Sequence, residues 1–224
     1  MEVFEVGRVA MENWPPRYNI APTQTAPVIV ADGEGMRRLG LMRWGLVPFW
    51  ADDLSIGNRL INARSETAET KPAFRQAWKR RRCVVPADGF YEWRRPEDGS
   101  EKGPRTPFWI HRADGRPLAM AGLWERWEDP EEGEDLHTFT LLTRPATPWM
   151  KPLHHRMPVL LPDGEVQHWL TFQGGLPDAA GPELDAHEVS RMVNSPANDA
   201  PACIEPVEGG DVVPPEGTRD VSER

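Results

Sequence analysis

The sequence predicts a single α+β domain dominated by antiparallel strands, with a few short helices. Its 224 residues suffice for one sizeable core, and 39% of them are hydrophobic, which is typical of a globular chain. The 24 prolines and 19 glycines interrupt the chain at short intervals and therefore favour strands and turns over long helices. Apolar segments of strand length lie between these turn residues.

Eight segments are predicted to be strands because they are apolar, rich in β-branched or aromatic residues and bounded by turn residues. In chain order they cover residues 26–31, 39–44, 83–86, 90–94, 108–111, 119–124, 138–143 and 157–161. Two short helices are also predicted. Residues 72–79 place Phe74 and Trp78 four positions apart behind a proline, and residues 164–170 follow Asp163, which is suited to cap a helix.

The two ends of the chain differ from this pattern. Residues 1–10 carry apolar side chains at helical spacing with no cap ahead of them, so they predict the end of an amphipathic helix. Residues 96–106 and 128–135 are predicted loops. From residue 208 the chain consists mainly of glycine, proline and charged residues, so we expect one domain over residues 1–207 and a disordered tail over 208–224.

Composition and cysteine usage indicate the cellular compartment of the protein. No run approaches the roughly 18 apolar residues that span a bilayer, and the first residues do not resemble a signal peptide. Cys83 and Cys203 form neither a disulfide framework nor a metal-ligand spacing. We therefore expect a cytoplasmic protein in a reducing compartment, with no membrane and no metal.

The net charge of -9 is unevenly distributed. Residues 125–135 are strongly acidic, whereas residues 71–82 carry six bases and no acid. A local basic face that binds nucleic acid is therefore compatible with an acidic chain, although the basic run also suits a solvated helix face.

Two segments combine polar groups with a strand. In RLINARSET, residues 59–67, the amide of Asn62 can hold a substrate and Arg64 can bind a phosphate, although the same residues suit a polar strand-to-helix turn with a capping serine. In PADGFYEWRR, residues 86–95, alternation places Phe90 and Glu92 on one face of a strand. A buried Glu92 would have a raised pKa and could act as a general acid or base, whereas an exposed one would be structural.

Two further segments offer a titrating group and exposed rings. In LHHRMPVLL, residues 153–161, His154 stands at the mouth of a strand, and an imidazole there suits proton transfer. Adjacent histidines on an extended chain point to opposite sides, which argues against zinc. In MRWGLVPFW, residues 42–50, Trp44 suits the core, while Phe49 and Trp50 beyond the proline suit exposure and stacking on bases.

Six segments occur together in one order: RYNIAPTQ, RWGLVPFW, INARSET, CVVPADGFYEW, HHRMPV and VNSPAND. In this order they resemble the SOS response-associated peptidase (SRAP) family, whose members process abasic sites in DNA. The similarity runs from about Arg17 to Val207. It implies a compact α+β fold with a curled, barrel-like and largely antiparallel sheet, and a groove for single-stranded DNA.

The resemblance also implies a chemistry. The reactive residue of the family is a cysteine at position 2, which becomes the amino terminus when the initiator methionine is removed. Its amine condenses with the ring-opened aldehyde of an abasic site to an imine, and its thiol then closes a thiazolidine ring. The family name implies a hydrolase or self-processing peptidase in the SOS response to DNA damage, and the crosslinking is lyase-like. The implied partner is single-stranded DNA with abasic sites; we expect a monomer and no cofactor.

Carried over by position, the resemblance gives Asn62 the role of orienting the amino-terminal residue, Glu92 that of shuttling protons and His154 that of assisting ring opening. The DNA contacts that it implies are phosphate clamps at Arg64 and Arg156, a lesser backbone contact at Thr143, and a wedge against bases formed by Phe49 and Trp50.

The chain departs from the family at its start, because residue 2 is Glu and not Cys. A start codon assigned too far downstream, a truncated chain and a natural loss of the nucleophile each explain this. We favour the first explanation, because Asn62, Glu92 and His154 are present together. The alternative function is a non-catalytic module that binds single-stranded DNA.

Overall fold

The computed structural model describes residues 2–10, 14–96, 103–131, 133–172, 175–177 and 181–213. Its strands are β1 (Arg8–Val9), β2 (Thr25–Ala31), β3 (Arg37–Trp44), β4 (Asn62–Arg64), β5 (Arg82–Ala87), β6 (Gly89–Arg94), β7 (Thr106–Arg112), β8 (Leu118–Glu128), β9 (Asp135–Pro145), β10 (Arg156–Pro158), β11 (Leu184–Glu188) and β12 (Val212–Val213). Its α-helices are α1 (Ser65–Ala68), α2 (Arg75–Arg80) and α3 (Val166–Leu170). Short 3-10 helices cover Glu2–Phe4, Leu54–Arg59, Asp163–Glu165, Arg191–Asn194 and Pro201–Cys203.

Five strands form a closed barrel. Strands β3, β2, β5, β8 and β9 are hydrogen-bonded in that order, and β9 returns to pair with β3. The closing pairs are parallel, with Arg43 opposite Thr138 and Trp44 opposite Phe139. The α+β class and the barrel-like, largely antiparallel sheet expected from the sequence are therefore confirmed.

A second sheet packs against the barrel. Its strand order is β12, β11, β7, β6, and every pairing is antiparallel. Phe108 and Ile110 of β7 are fully buried in the same apolar cluster as Val28 and Met120 of the barrel. Because side chains alternate along a strand, the residues between them face the other side of this sheet.

Two short strands pair with the last residues of β9 and carry residues of the candidate site. Strand β4 pairs with β9 in parallel, which places Arg64 opposite Thr143. Strand β10 pairs with β9 in antiparallel fashion, which places Pro158 opposite Thr143 and Arg156 opposite Pro145. Thr143 therefore lies between the RLINARSET and LHHRMPVLL segments.

The predicted strands are confirmed, with most of them longer than the sequence indicated. The exception is 157–161, where the strand covers Arg156–Pro158 and Leu160 forms only an isolated bridge with Met120. Four strands were missed. Strands β1 and β12 have two residues each, β4 is the polar triplet Asn62–Arg64, and β11 reads LDAHE, which lacks β-branched residues.

The prediction of a helix over residues 1–10 is wrong. Only Glu2–Phe4 is helical, as a single 3-10 turn, and Glu5 ends it with a φ of 45°. Arg8–Val9 then pairs in parallel with Arg38 and Leu39 of β3. The apolar spacing instead serves packing, since Phe4 is buried and Val6 packs on the same core cluster, while Val3 and Val9 stay exposed.

The helix predicted over 72–79 begins at Arg75, with Phe74 as its N-cap. The prediction that Asp163 caps a helix is wrong, because Pro162 precedes the 3-10 turn and Glu165 precedes α3. The Asp163 carboxylate instead accepts hydrogen bonds from Arg112 and Arg116. The basic run 71–82 is partly structural. Arg82 is buried, and its guanidinium carbon lies 4.4 Å from the centroid of the Trp169 ring.

Three predicted loop or tail segments are described in part. Within 96–106, residues 97–102 lie outside the described residues. The acidic segment 128–135 is the turn of a hairpin, with Glu128 paired to Asp135. In the segment 208–224, Val212–Val213 pairs with β11, and residues 214–224 lie outside the described residues. Among the described residues, no helix is long and apolar enough to cross a membrane.

Hydrogen bonds and an ion pair join the RYN segment near the start of the domain to the VNSPAND segment near its end. The Asp199 carboxylate accepts hydrogen bonds from the backbone N–H groups of Tyr18 (2.6 Å) and Asn19 (3.0 Å), and it forms an ion pair with Arg17. The Asn19 side-chain amide is buried and donates to backbone carbonyls of residues 193, 195 and 198. We refer to these contacts between residues 17–19 and 193–199 as the terminal clasp.

Candidate active site

Glu92 and His154 form a carboxylate–imidazole pair at the open edge of the second sheet. Glu92 lies on the edge strand β6 opposite Phe108, so its side chain shares the apolar face of that sheet. Its Oε1 atom lies 3.5 Å from Nδ1 of His154, and the two side chains are 22% and 31% exposed. The same Nδ1 also lies 3.0 Å from the backbone carbonyl of Arg156 and 3.3 Å from its backbone nitrogen.

The environment of Glu92 favours the protonated carboxyl. Burial raises its pKa, and this effect outweighs the charge of His154 and a hydrogen bond from the Trp93 backbone, which both lower it. A carboxyl group whose pKa approaches the working pH can both give and take a proton. Of the two alternatives that the sequence left open for Glu92, the structure favours burial, because its side chain is only 22% exposed.

The opposite face of β6 is anchored by the terminal clasp. The Tyr91 hydroxyl donates to the carbonyl of Tyr18 at 2.6 Å, and the Trp93 indole donates to Asn194 Oδ1 at 2.7 Å. Glu92 lies between these two anchored residues. The terminal clasp therefore fixes strand β6, which carries the Glu92 carboxylate, although the clasp lies on the opposite side of the sheet from that carboxylate.

The two adjacent histidines do not point to opposite sides. The ring centroids of His154 and His155 are 4.4 Å apart, so the geometric argument used against zinc is wrong. Even so, no group of three or more potential metal ligands occurs among the described residues. The pKa of His155 is lowered chiefly by the charge of His154, and also by burial and by the charges of Arg95, Arg156 and Arg64. His155 therefore lies near three arginines, although the net charge of the chain is -9.

Asn62 and Arg64 are both exposed on β4. Their parallel pairing with β9 places them on the same face as Leu141 and Thr143. Within the described ranges, neither side chain has a hydrogen-bond or ion-pair partner. Both groups are thus free to meet a ligand.

Arg156 is held by other protein groups, in contrast to Arg64. Its guanidinium forms a two-pronged ion pair with Glu66, with Nη1–Oε1 at 2.5 Å and Nη2–Oε2 at 3.0 Å. Nη2 also donates to the backbone carbonyl of Thr143 at 2.6 Å. The hydrogen bond from Arg156 lowers the pKa of Glu66 to about 2, against the opposing effect of burial.

Phe49 and Trp50 are 54% and 50% exposed, as the sequence predicted. They follow Gly45, whose φ of 120° disfavours other residues and where a Cβ would lie 2.5 Å from the Gly57 carbonyl. Arg43 braces this loop by donating to Asn58 Oδ1 at 2.9 Å. Trp44 is partly buried beside Phe139, and its indole donates to the Ile61 carbonyl next to Asn62 at 2.8 Å.

Neither cysteine is placed to react with a bulky substrate. Cys83 lies in β5 and Cys203 in a 3-10 helix, and both are fully buried. Burial strongly raises the pKa of the Cys83 thiol, which keeps it protonated and unreactive.

The strand pairings therefore bring Asn62, Arg64, Thr143 and Arg156 around the end of β9, with Glu92 beside His154. Sequence reasoning missed the roles of two charged residues. Glu66 was visible in the RLINARSET segment, but its ion pair with Arg156 spans 90 positions and has no local signal. Arg95 follows β6 and contributes to the positive field at His155.

The model of the family described as SOS response associated peptidase (SRAP) matches residues 2–196 of the chain. The chain belongs to this family. Curated relatives support the same assignment. The abasic site processing protein YoqW of Bacillus subtilis is 39% identical over 216 residues, which cover 92% of this chain and 93% of the relative. The abasic site processing protein HMCES of Gallus gallus is 35% identical over 232 residues, which cover 87% of this chain and 67% of the relative.

Solved structures show the same fold. A protein from Bordetella bronchiseptica matches with a TM-score of 0.70 and 30% identity, covering 84% of this chain and 93% of the other. A protein from Bacteroides thetaiotaomicron matches with a TM-score of 0.70 and 27% identity, covering 83% and 82%. The SRAP chain thus belongs among proteins named for abasic sites and the response to DNA damage.

Proposed function

We propose that this SRAP protein binds single-stranded DNA at abasic sites and prepares the damaged sugar for covalent capture. The observation that carries the proposal is the Glu92–His154 pair, with its 3.5 Å separation and the raised pKa of Glu92, near the arginines that surround His155. Such pairs are typical of sites that transfer protons. The names of the relatives supply the substrate class.

An abasic sugar is mostly a closed hemiacetal, and it must open before an amine can attack it. Opening requires that the anomeric hydroxyl loses a proton and that the ring oxygen gains one. Glu92 and His154 lie close enough together to serve as the acid and the base for these two transfers. Asn62, exposed and unpartnered among the described residues, can hold the opened sugar or the attacking residue.

The covalent step that the family resemblance implies requires an amino-terminal cysteine. The amine displaces the aldehyde oxygen as water to give an imine, and the thiol then adds to the imine carbon to close a thiazolidine. Residue 2 of this chain is Glu, and the two cysteines are buried. The proposed crosslink therefore needs an amino-terminal cysteine that the given residues do not supply, whereas we assign recognition and proton transfer to the residues described above.

A single-stranded oligonucleotide with one abasic site tests this proposal. The coding frame is extended upstream, and the extended protein and the present chain are each incubated with the oligonucleotide. We expect the extended protein to shift the DNA on a denaturing gel, and the matched control with its cysteine replaced by serine to leave no thiazolidine that survives heating. Absence of any adduct from the extended protein would overturn the proposed crosslinking.

A second candidate function is a non-catalytic module that binds single-stranded DNA. The Glu at position 2 together with two buried cysteines favours it. This candidate predicts salt-sensitive binding without any covalent product, and an in-frame stop codon directly before Met1 would support it. A peptidase acting on other proteins is suggested by the family name alone.

A further inference from the structure

We infer that Trp44 is a positioning residue for Asn62, because its indole N–H fixes the backbone carbonyl of Ile61, the residue directly before Asn62. The inference deepens the proposed function and rests on it for the role of Asn62. Trp44 acts through the backbone of β4 and needs no contact with DNA. The RWGLVPFW segment thus both positions Asn62 and exposes Phe49 and Trp50.

The Ile61 carbonyl accepts hydrogen bonds from the two strands that close the barrel. The indole Nε1 of Trp44, at the end of β3, donates to it at 2.8 Å. The backbone N–H of Leu141 in β9 donates to it at 3.1 Å. The second bond belongs to the pairing that places Asn62 opposite Leu141. The start of β4 is therefore tied to β3 by a side chain and to β9 by the backbone.

Strand β4 is short and mostly exposed. Of its three residues the middle one, Ala63, is buried, whereas Asn62 is exposed. A short segment with few buried apolar contacts opens locally at low cost. Leu60, two residues before Asn62, accepts a backbone hydrogen bond from Leu46 at 3.2 Å, at the long end of the usual range. The indole bond of Trp44 is therefore well placed to decide where Asn62 lies.

Trp44 is itself fixed from three segments of the chain. Its ring stacks on Phe139, with the centroids 6.2 Å and the planes 12° apart. Its backbone N–H donates to the Gln24 carbonyl, and its carbonyl accepts from the Thr23 N–H, both at 2.8 Å. Thr23 has a φ of 76°, which is unfavourable for a β-branched residue, so the surrounding contacts hold it there. A donor restrained in this way can define the position of its acceptor, Ile61.

Hydrogen exchange of the present chain tests the structural step. Trp44→Phe keeps a ring against Phe139 and removes the indole N–H. We expect the Leu141 amide, which donates to the Ile61 carbonyl, to exchange about fivefold faster than in the wild type. The physical reason is that loss of one hydrogen bond lowers the cost of opening β4 away from β9.

Trp169→Phe is the matched control. The buried indole of Trp169 in α3 also donates to a backbone carbonyl, that of Cys83 in β5, at 2.9 Å. We expect this variant to unfold at a lower urea concentration than the wild type, yet to leave the exchange of Leu141 unchanged relative to the other β9 amides. Equal acceleration at Leu141 in both variants would reflect lost global stability alone and would overturn the inference.

A double-mutant cycle in the extended, cysteine-bearing protein tests the functional step. Trp44→Phe should slow capture of an abasic oligonucleotide about tenfold, since a misplacement of about 1 Å can cost about 100-fold. Trp169→Phe should capture at the wild-type rate. In an Asn62→Ala background, Trp44→Phe should have no further effect, because its effect passes through Asn62. Additive losses, or a wild-type rate in Asn62→Ala alone, would contradict the inference.

Failure of the inference and failure of the proposed function are distinguishable. Absence of any adduct from the extended wild type would overturn the proposed crosslinking, whereas the exchange rates of the present chain still decide whether Trp44 positions β4. Exchange at Leu141 that Trp44→Phe leaves unchanged would refute the positioning role, whatever the chemistry on DNA.

Discussion

At the scale of single residues, the proposed proton transfer rests on a carboxyl group that is partly removed from water. Glu92 shares an apolar strand face with Phe90 and lies opposite buried Phe108, and this burial raises its pKa. The charge of His154 opposes the shift without cancelling it. A raised pKa favours the protonated carboxyl, which is the form that can donate a proton in the proposed sugar opening.

Replacing Glu92 by Gln in the extended, cysteine-bearing protein should slow crosslinking by about 100-fold or more, since general acid–base catalysis contributes on that order. DNA affinity should change little, because the amide keeps the shape of the side chain. Adduct formation over time on denaturing gels and anisotropy with uncleaved abasic DNA measure the two effects. A large loss of affinity with an unchanged rate of capture would assign Glu92 a structural role.

The raised pKa of Glu92 also predicts a pH dependence of stability. A carboxyl group with a raised folded-state pKa contributes its full stability below its unfolded pKa, and loses it as the pH rises through the folded pKa. Glu92→Gln removes this titration. The variant should therefore gain stability relative to wild type as the pH rises from about 4 to about 8, measured as the difference in urea midpoint. A difference that is constant with pH would contradict the assigned shift.

At the scale of elements, the candidate site combines strands with one exposed loop. The loop after β3 exposes Phe49 and Trp50, and α1 follows β4 directly, which places Arg64 at the end of the strand and Glu66 in the first turn of the helix. The terminal clasp fixes β6 from its far side through Tyr91 and Trp93. The position of Glu92 therefore depends on a segment on the opposite side of its sheet.

Phe49→Ala and Trp50→Ala should each weaken binding of single-stranded DNA by about 1–3 kcal/mol, the contribution of one stacked base. Thermal stability should be nearly unchanged, because both side chains are at least half exposed. The matched control is Val212→Ala, an exposed apolar residue of β12 in the other sheet, which should alter neither property. Wild-type affinity in both ring variants would exclude this loop from the DNA path.

Asp199→Asn should loosen the terminal clasp. Burial opposes ionisation of Asp199, but hydrogen bonds from Tyr18, Arg17 and Asn19 outweigh it and lower its pKa. Losing hydrogen bonds to a charged group should cost about 2–3 kcal/mol of unfolding free energy near pH 7. Because the pKa is lowered in the fold, this difference should shrink as the pH falls below about 4.

Crosslinking by the extended form of Asp199→Asn should also slow, because Tyr18 anchors the strand that carries Glu92. Capture rates and urea unfolding measured on the same preparation check both effects. Reduced stability with a wild-type capture rate would separate the clasp from the site.

At the scale of the whole molecule, sequence reasoning recovered the barrel strands because their apolar, β-branched residues carry a local signal. It failed where structure arises from distant contacts. Strand β4 is polar and exists only through its pairing with β9, and the Glu66–Arg156 pair joins residues 90 apart. The apolar spacing of residues 2–10 suggested a helix, but pairing of Arg8–Val9 with β3 prevailed.

The candidate site residues were proposed from the order of six motifs, since each motif alone also suited a structural role. The structure gives some of these motifs structural roles as well. RYN and VNSPAND build the terminal clasp, and Trp44 packs on Phe139 while bonding beside Asn62. The charge of the chain is also unevenly distributed. Its net charge is -9, yet three arginines lie near His155.

We propose that this SRAP fold captures abasic sites through an amino-terminal cysteine while Glu92 and His154 move the protons. The covalent shift of a single-stranded abasic oligonucleotide by the upstream-extended protein, beside the present chain and the extended Glu92→Gln variant, tests this function. We expect a heat-stable adduct from the extended protein, a much slower one from Glu92→Gln and none from the present chain. An extended protein that binds the oligonucleotide yet never shifts it covalently would contradict the proposed capture.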